Sequence, residues 1–203
     1  MTGSGAPDLE VTAEGARVAV VATLWHRTIT DAMVVSATKA ILDAGAEALV
    51  LRVPGAFELP VVAKAAAQSG FDAVVALGVV VRGGTPHFDY VCRAATDGLT
   101  HVTVTTGVPV GFGLLTCDTE EQAIQRAGLP GSTEDKGREA AEAALVAVKV
   151  VRDLRTLEAR QPPGARARVH EHATPTEPSC GSRRAGARPP RRRGRVGGQR
   201  PRR

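Results

Sequence analysis

The chain has 203 residues, enough for one ordinary domain plus an extension, and 43% of them are hydrophobic while only 3% are aromatic, so its core must be Val, Ala and Leu. The net charge of +5 hides two unlike parts: residues 160–203 carry 13 Arg against 2 Glu, whereas residues 1–159 carry 13 Lys and Arg against 19 Asp and Glu. The body is therefore mildly acidic, and a wholly basic, nucleic-acid-coating chain is excluded.

The opening, MTGSGAPDLE, has neither the basic start nor the apolar centre of a signal peptide, and no apolar run reaches membrane-spanning length. A cytoplasmic location is expected. A short strand is expected over Leu9–Thr12. RVAVVATLW, Arg17 to Trp25, is the first clear buried strand. A helix to about Ala44 follows, with Thr28 or Thr30 as cap; its apolar residues Ile29, Met33, Ala37 and Ile41 recur at three- and four-residue steps, and Gly45 stops it. Leu49–Val53 is the second strand. It runs into Pro54-Gly55-Ala56-Phe57-Glu58, and a helix with Leu59, Val62, Ala63 and Ala66 on one face lasts to Gly70.

Ala73–Val81 is a nearly unbroken apolar run and reads as a strand buried on both faces. It ends at Arg82, and Gly83-Gly84-Thr85 follow, offering backbone N–H groups to an anion. Pro86 suits the first turn of a helix, and His87 falls in that turn. Imidazole is the side chain best suited to moving protons near neutral pH, so His87 is the candidate catalytic residue. The carboxyl end of a buried strand is where open α/β sheets bind ligands.

Phe88, Val91, Ala95, Leu99 and Val102 predict a helix over 87–105, although Gly98 and the β-branched VTVTT at 102–106 argue against it. Val108–Thr116 is the fourth buried strand. Thr116 or Asp118 should cap a short helix over 119–127, 129–135 is a loop, and a last helix spans 136–157. Four strands alternating with helices predict a three-layer α/β/α sandwich on a parallel sheet, flavodoxin-like, over residues 1–158. From about residue 159 the chain turns Arg-, Pro- and Gly-rich and should be a disordered tail. Cys92, Cys117 and Cys180 form no CxxC pair, so free thiols are expected.

VPGAFE (53–58), GGTPHFDYV (83–91), FGLLT (112–116), EQAIQRAG (121–128) and DKG (135–137), in that order, closely resemble lumazine synthases, over about residues 9–157. The resemblance implies a transferase of riboflavin biosynthesis. Its reaction condenses 5-amino-6-(D-ribitylamino)uracil with 3,4-dihydroxy-2-butanone 4-phosphate to 6,7-dimethyl-8-ribityllumazine, with no cofactor and no metal. It implies substrate contacts from Trp25, Ala56, Phe57, Glu58, Val79, Val80 and Val81. Trp25 offers an aromatic face to the pyrimidine, and Glu58 meets the polyol. Gly83, Gly84, Thr85, Arg126 and Lys136 are implied at the phosphate, and Phe112 at the site of a neighbouring subunit. Family members often carry Phe-Asn in place of Trp25-His26 and Asn in place of Asp135.

The resemblance also implies a homopentamer with active sites between subunits, to which the N-terminal strand could be lent. Shell-forming relatives have a shorter loop before the last helix than LPGSTED, and that difference points to a free pentamer. A non-catalytic flavin or pteridine carrier on the same fold is the alternative, disfavoured by His87 and Arg126 together. The tail has no aromatic residue for stacking on bases, so no specific nucleic-acid partner is expected.

Overall fold

The structure is a computed structural model that describes residues 11–160. Its elements run β1 (Arg17–Thr23), α1 (Arg27–Asp43), β2 (Glu47–Val53), a 3-10 turn (Ala56–Glu58), α2 (Leu59–Gln68), β3 (Ala73–Val81), α3 (His87–Thr106), β4 (Val110–Cys117), α4 (Glu120–Ile124) and α5 (Lys136–Arg160). The four strands form one parallel sheet in the order β2-β1-β3-β4. Val20 of β1 pairs with Val50 on one side and Val75 on the other, and Leu77 of β3 pairs with Gly113. Strand order reverses between β1 and β3, and a crevice opens at that point beyond the strands' carboxyl ends.

Side-chain alternation along β1 divides the core. Val18, Val20 and Ala22 join Met33, Ile41, Ala141 and Leu145 of α1 and α5. Ala19 and Val21 join Leu59, Ala63, Ala95 and Leu99 of α2 and α3. The result is the expected α/β/α sandwich, with a core of Val, Ala and Leu. Gly137 lets α5 lie directly on α1: a Cβ there would stand 2.4 Å from the Met33 carbonyl oxygen.

β3 spans Ala73–Val81, and its first seven residues are buried. β2 and β4 are edge strands. Leu49 and Val50 of β2 are exposed, and so are Phe112 and Thr116 of β4. The expected fourth buried strand, Val108–Thr116, is thus corrected: it begins at Val110, ends at Cys117 and turns part of one face outward. The VTVTT segment is helical throughout. Hydroxyls of Thr103, Thr105 and Thr106 donate to carbonyls four residues back, at 3.1, 2.6 and 2.7 Å, which suits threonine to a helix despite its branched Cβ. Gly98 belongs there because a Cβ would come within 2.7 Å of the Pro60 ring.

Two expected caps are replaced. His26, not Thr28 or Thr30, is the N-cap of α1, and the Thr30 hydroxyl instead donates back to the carbonyls of Trp25 and His26. Thr119, rather than Thr116 or Asp118, caps α4, accepting from the Gln122 N–H at 3.3 Å. Val11 and Thr12 are not in a strand; the rest of the expected N-terminal strand, and the basic tail with Cys180, lie outside the described residues. No described helix is long and apolar enough to cross a membrane.

Candidate active site

Beyond β1, β2 and β3 the connecting turns enclose a cavity of about 280 Å³. β1 leads to Trp25 and His26, the turn after β2 brings Gly55, Ala56 and Phe57, the end of β3 gives Val79, Val80 and Val81, and α3 adds His87 and Val91. Trp25 is 68% exposed and Phe57 66%, so two aromatic faces stand open at the rim.

The corner that presents Trp25 is rigid. His26 adopts the left-handed conformation, φ 50°, alone among the described non-glycine residues. Its carbonyl accepts from the N–H groups of Ile29 and Thr30 at 2.9 and 3.0 Å. Asn and His tolerate this backbone better than most side chains, which accounts both for the Asn common in the resembled family and for the His here. Glu58 Oε2 accepts from the Gly55 N–H at 2.9 Å and so fixes the turn after β2. A Cβ on Gly55 would touch both that carboxylate and the Trp25 indole, which places Glu58 beside the tryptophan at the cavity's edge.

Arg82 does not offer a free charge to an anion. Its Nε donates to Asp118 at 2.7 Å, its Nη1 lies 3.3 Å from Asp89, and its guanidinium stacks 4.1 Å from the Phe88 ring centroid. It fastens the start of α3, and hence His87, to the end of β4. Gly83, Gly84 and Thr85 are exposed, and a Cβ on either glycine would meet nothing within 4 Å.

Phe112, Arg126 and Lys136 lie apart from this cavity. They line a second one, of about 510 Å³, between β4, α4 and α5, together with Gln122 and Glu139. Arg126 Nη1 donates to the Gln122 carbonyl at 2.8 Å, and no carboxylate pairs with Arg126 among the described residues. Lys136 is held differently, with its Nζ 2.9 Å from Glu134 and 2.6 Å from Glu139. Burial works against its charge, but the hydrogen bonds to Glu139 and Glu134 outweigh that and raise its pKa above the ordinary lysine value. Asp135 accepts from the Arg138 N–H at 3.0 Å and from the Ser36 hydroxyl, so it works as an N-cap where Asn would serve equally. Burial pushes the Cys92 and Cys117 thiols up, which leaves neither suited to act as a nucleophile near neutral pH.

The sequence profile of 6,7-dimethyl-8-ribityllumazine synthase matches residues 15–152. The chain belongs to the 6,7-dimethyl-8-ribityllumazine synthase family. It is 58% identical over 156 residues to the enzyme of that name from Streptomyces coelicolor, covering 76% of this chain and 97% of the relative. To the one from Kineococcus radiotolerans it is 59% identical over 158 residues, 77% and 98% of the two chains. To the one from Paenarthrobacter aurescens it is 62% identical over 152 residues, 71% and 94%.

In this lumazine synthase chain the structure gathers Trp25, Ala56, Phe57, Val79, Val80, Val81 and His87 round one cavity. It keeps Phe112, Arg126 and Lys136 in another. His26, Gly55 and Val91 line the first cavity and were not among the expected contacts; adjacency to Trp25 and to Phe57, and the one-turn step from His87 to Val91, were the available signals. Glu139, three residues after Lys136, was likewise legible only from helical spacing.

Proposed function

We propose that this chain condenses 5-amino-6-(D-ribitylamino)uracil with 3,4-dihydroxy-2-butanone 4-phosphate to 6,7-dimethyl-8-ribityllumazine, releasing phosphate and a water at each carbonyl condensation. The observation that carries the reading is the cavity at the sheet's switch point, where an exposed indole and an imidazole face a pocket floored by β3. The names of the relatives agree with it.

The pyrimidine stacks on Trp25, and the ribityl chain runs toward Glu58 and the backbone of Ala56 and Phe57. The uracil amine attacks the ketone and an imine forms with loss of water. Phosphate then leaves as a proton is removed from the adjoining carbon, and the second amine closes the ring with loss of another water. His87 carries these protons in this reading. Holding two substrates together supplies much of the rate.

Gly83 and Gly84 have neither positive φ nor crowded Cβ positions. Glycine there leaves bare backbone for phosphate to approach closely. Arg126, which no carboxylate pairs with among the described residues, is the principal cation for that phosphate, and Lys136 a lesser one because two glutamates already offset its charge. One chain holds these groups in separate cavities, so we assign a complete site to two adjacent copies in a homopentamer, the second giving Phe112, Arg126 and Lys136. The test is to mix the two substrates with purified protein and follow lumazine absorbance and fluorescence. Formation of the lumazine at a rate proportional to protein supports the reading; its absence with both substrates saturating overturns it.

A further inference from the structure

The cavity has a second imidazole that the proposed reaction does not use. His26 lines it together with His87, and its side chain is only 25% exposed. The backbone that carries it is locked by the bonds from Ile29, Thr30 and the Thr30 hydroxyl. Outside the cavity wall, Glu120, in the first turn of α4, places Oε1 3.6 Å from His26 Nδ1. That is longer than a hydrogen bond and within reach of becoming one when a ligand orders the ring. A carboxylate facing one ring nitrogen fixes the tautomer and orientation of an imidazole and leaves the other nitrogen for a ligand.

We propose that Glu120 is a positioning residue that holds His26 with its second nitrogen available to hydrogen-bond the polar, pyrimidine-bearing substrate beside Trp25. The inference rests on the functional reading above, since it takes that substrate to be the ribitylaminouracil. It gives α4 a part in the first cavity, although α4 is otherwise associated with Arg126 and the second. The contact is specific to one substrate: His26 adjoins the stacking tryptophan and is absent from the cavity that holds Arg126 and Lys136.

Trp25 is the single tryptophan of the chain, so its fluorescence reports occupancy of this cavity directly. The uracil substrate alone would be titrated into wild type, Glu120→Gln, His26→Gly and the double variant, each checked by thermal melting. Glycine at position 26 accepts the left-handed backbone, and glutamine keeps the size of Glu120, so both variants should fold. His26→Gly should weaken uracil binding about tenfold, the scale of one lost hydrogen bond. Glu120→Gln should weaken it by a smaller factor, about threefold. In the His26→Gly background Glu120→Gln should have no further effect, and the KM for butanone phosphate should stay unchanged throughout.

An equal effect of Glu120→Gln with and without His26 would overturn the pairing, as would unaltered uracil affinity in both single variants. A parallel shift in the KM of both substrates would overturn it too, because a general structural disturbance moves both. A wild-type chain whose tryptophan does not respond to the uracil would overturn the functional reading itself, a result distinguishable from all of these.

Discussion

Replacing Arg126 with Ala should abolish efficient use of the phosphorylated substrate while leaving the uracil side almost untouched. Among the described residues, the Arg126 side chain donates to the Gln122 carbonyl at 2.8 Å. It is only partly buried, and no carboxylate among the described residues depends on it. Its removal therefore strands no charge, and the cost to folding should stay below about 1 kcal/mol. Against phosphate the guanidinium can make two charge-assisted bonds in a fork, at about 1.5 kcal/mol each. Their loss, about 3 kcal/mol, corresponds to about a hundredfold in kcat/KM. Arg126→Lys keeps a point charge but not the fork and should fall between, about tenfold down. The assay is the initial rate of lumazine formation with each substrate varied while the other saturates. A similar rise in both KM values, or unchanged kinetics, would refute the assignment of Arg126 to the phosphate.

His87→Ala should lower kcat by about a hundredfold, the usual scale for a proton-moving group, with no loss of melting temperature because the side chain is exposed; unchanged turnover would remove His87 from the chemistry. Gly137→Ala should destabilise the fold by about 2 kcal/mol in urea unfolding, since the new Cβ meets the Met33 backbone, which cannot swing aside as a side chain would; wild-type stability would mean that α1 and α5 do not pack this closely. Deleting residues 161–203 should leave folding and activity intact, because that segment has almost no large apolar residue; insoluble or inactive truncated protein would show that it has a structural part. Light scattering at moderate salt should give a mass near five chains, and a particle of sixty would sink the free-pentamer reading.

The parts of the fold that were legible in sequence are those where one pattern dominates. A nine-residue run broken only by Gly78 and followed by Arg-Gly-Gly gave β3 to the residue, and a run of that kind is best placed between two helical layers. The caps were not legible. Four threonines and aspartates near the starts of α1 and α4 are equally plausible caps by residue type, and only the backbone path shows that His26 and Thr119 hold those positions. The edge character of β4 was also hidden, because its outward-facing Phe112 is itself apolar and Thr116 alone does not make an alternation. Nor did the sequence show what Arg82, at the end of β3, is bound to. Its partner Asp118 lies 36 residues away, a distance at which no local pattern reports a contact.

The division of the expected site into two cavities also bears on why so many large side chains lie open. Trp25, Phe57 and Phe112 are exposed by 68%, 66% and 47%, and β2 leaves Leu49 and Val50 bare at the sheet's edge. Single exposed apolar residues are ordinary, but here the aromatic ones border two cavities that each hold only part of the chemistry. A stacked pyrimidine with one face on Trp25 would leave its other face, and the developing charges of the reaction, in bulk water. Electrostatic groups then lose most of their strength, and a forked arginine–phosphate bond is worth far less. In the proposed pentamer, setting the face with Phe112 and Arg126 of one copy against the Trp25 and His87 rim of the next would cover the aromatics, exclude water and bring the cation to the phosphate in a single step. In the proposed pentamer this contact would be head to tail, each copy lending its Phe112 face to the next, and such contacts close into a ring when the rotation between copies allows it. On this argument assembly and catalysis draw on the same residues, and a substitution that weakens the contact should lower activity before it lowers the stability of the single chain.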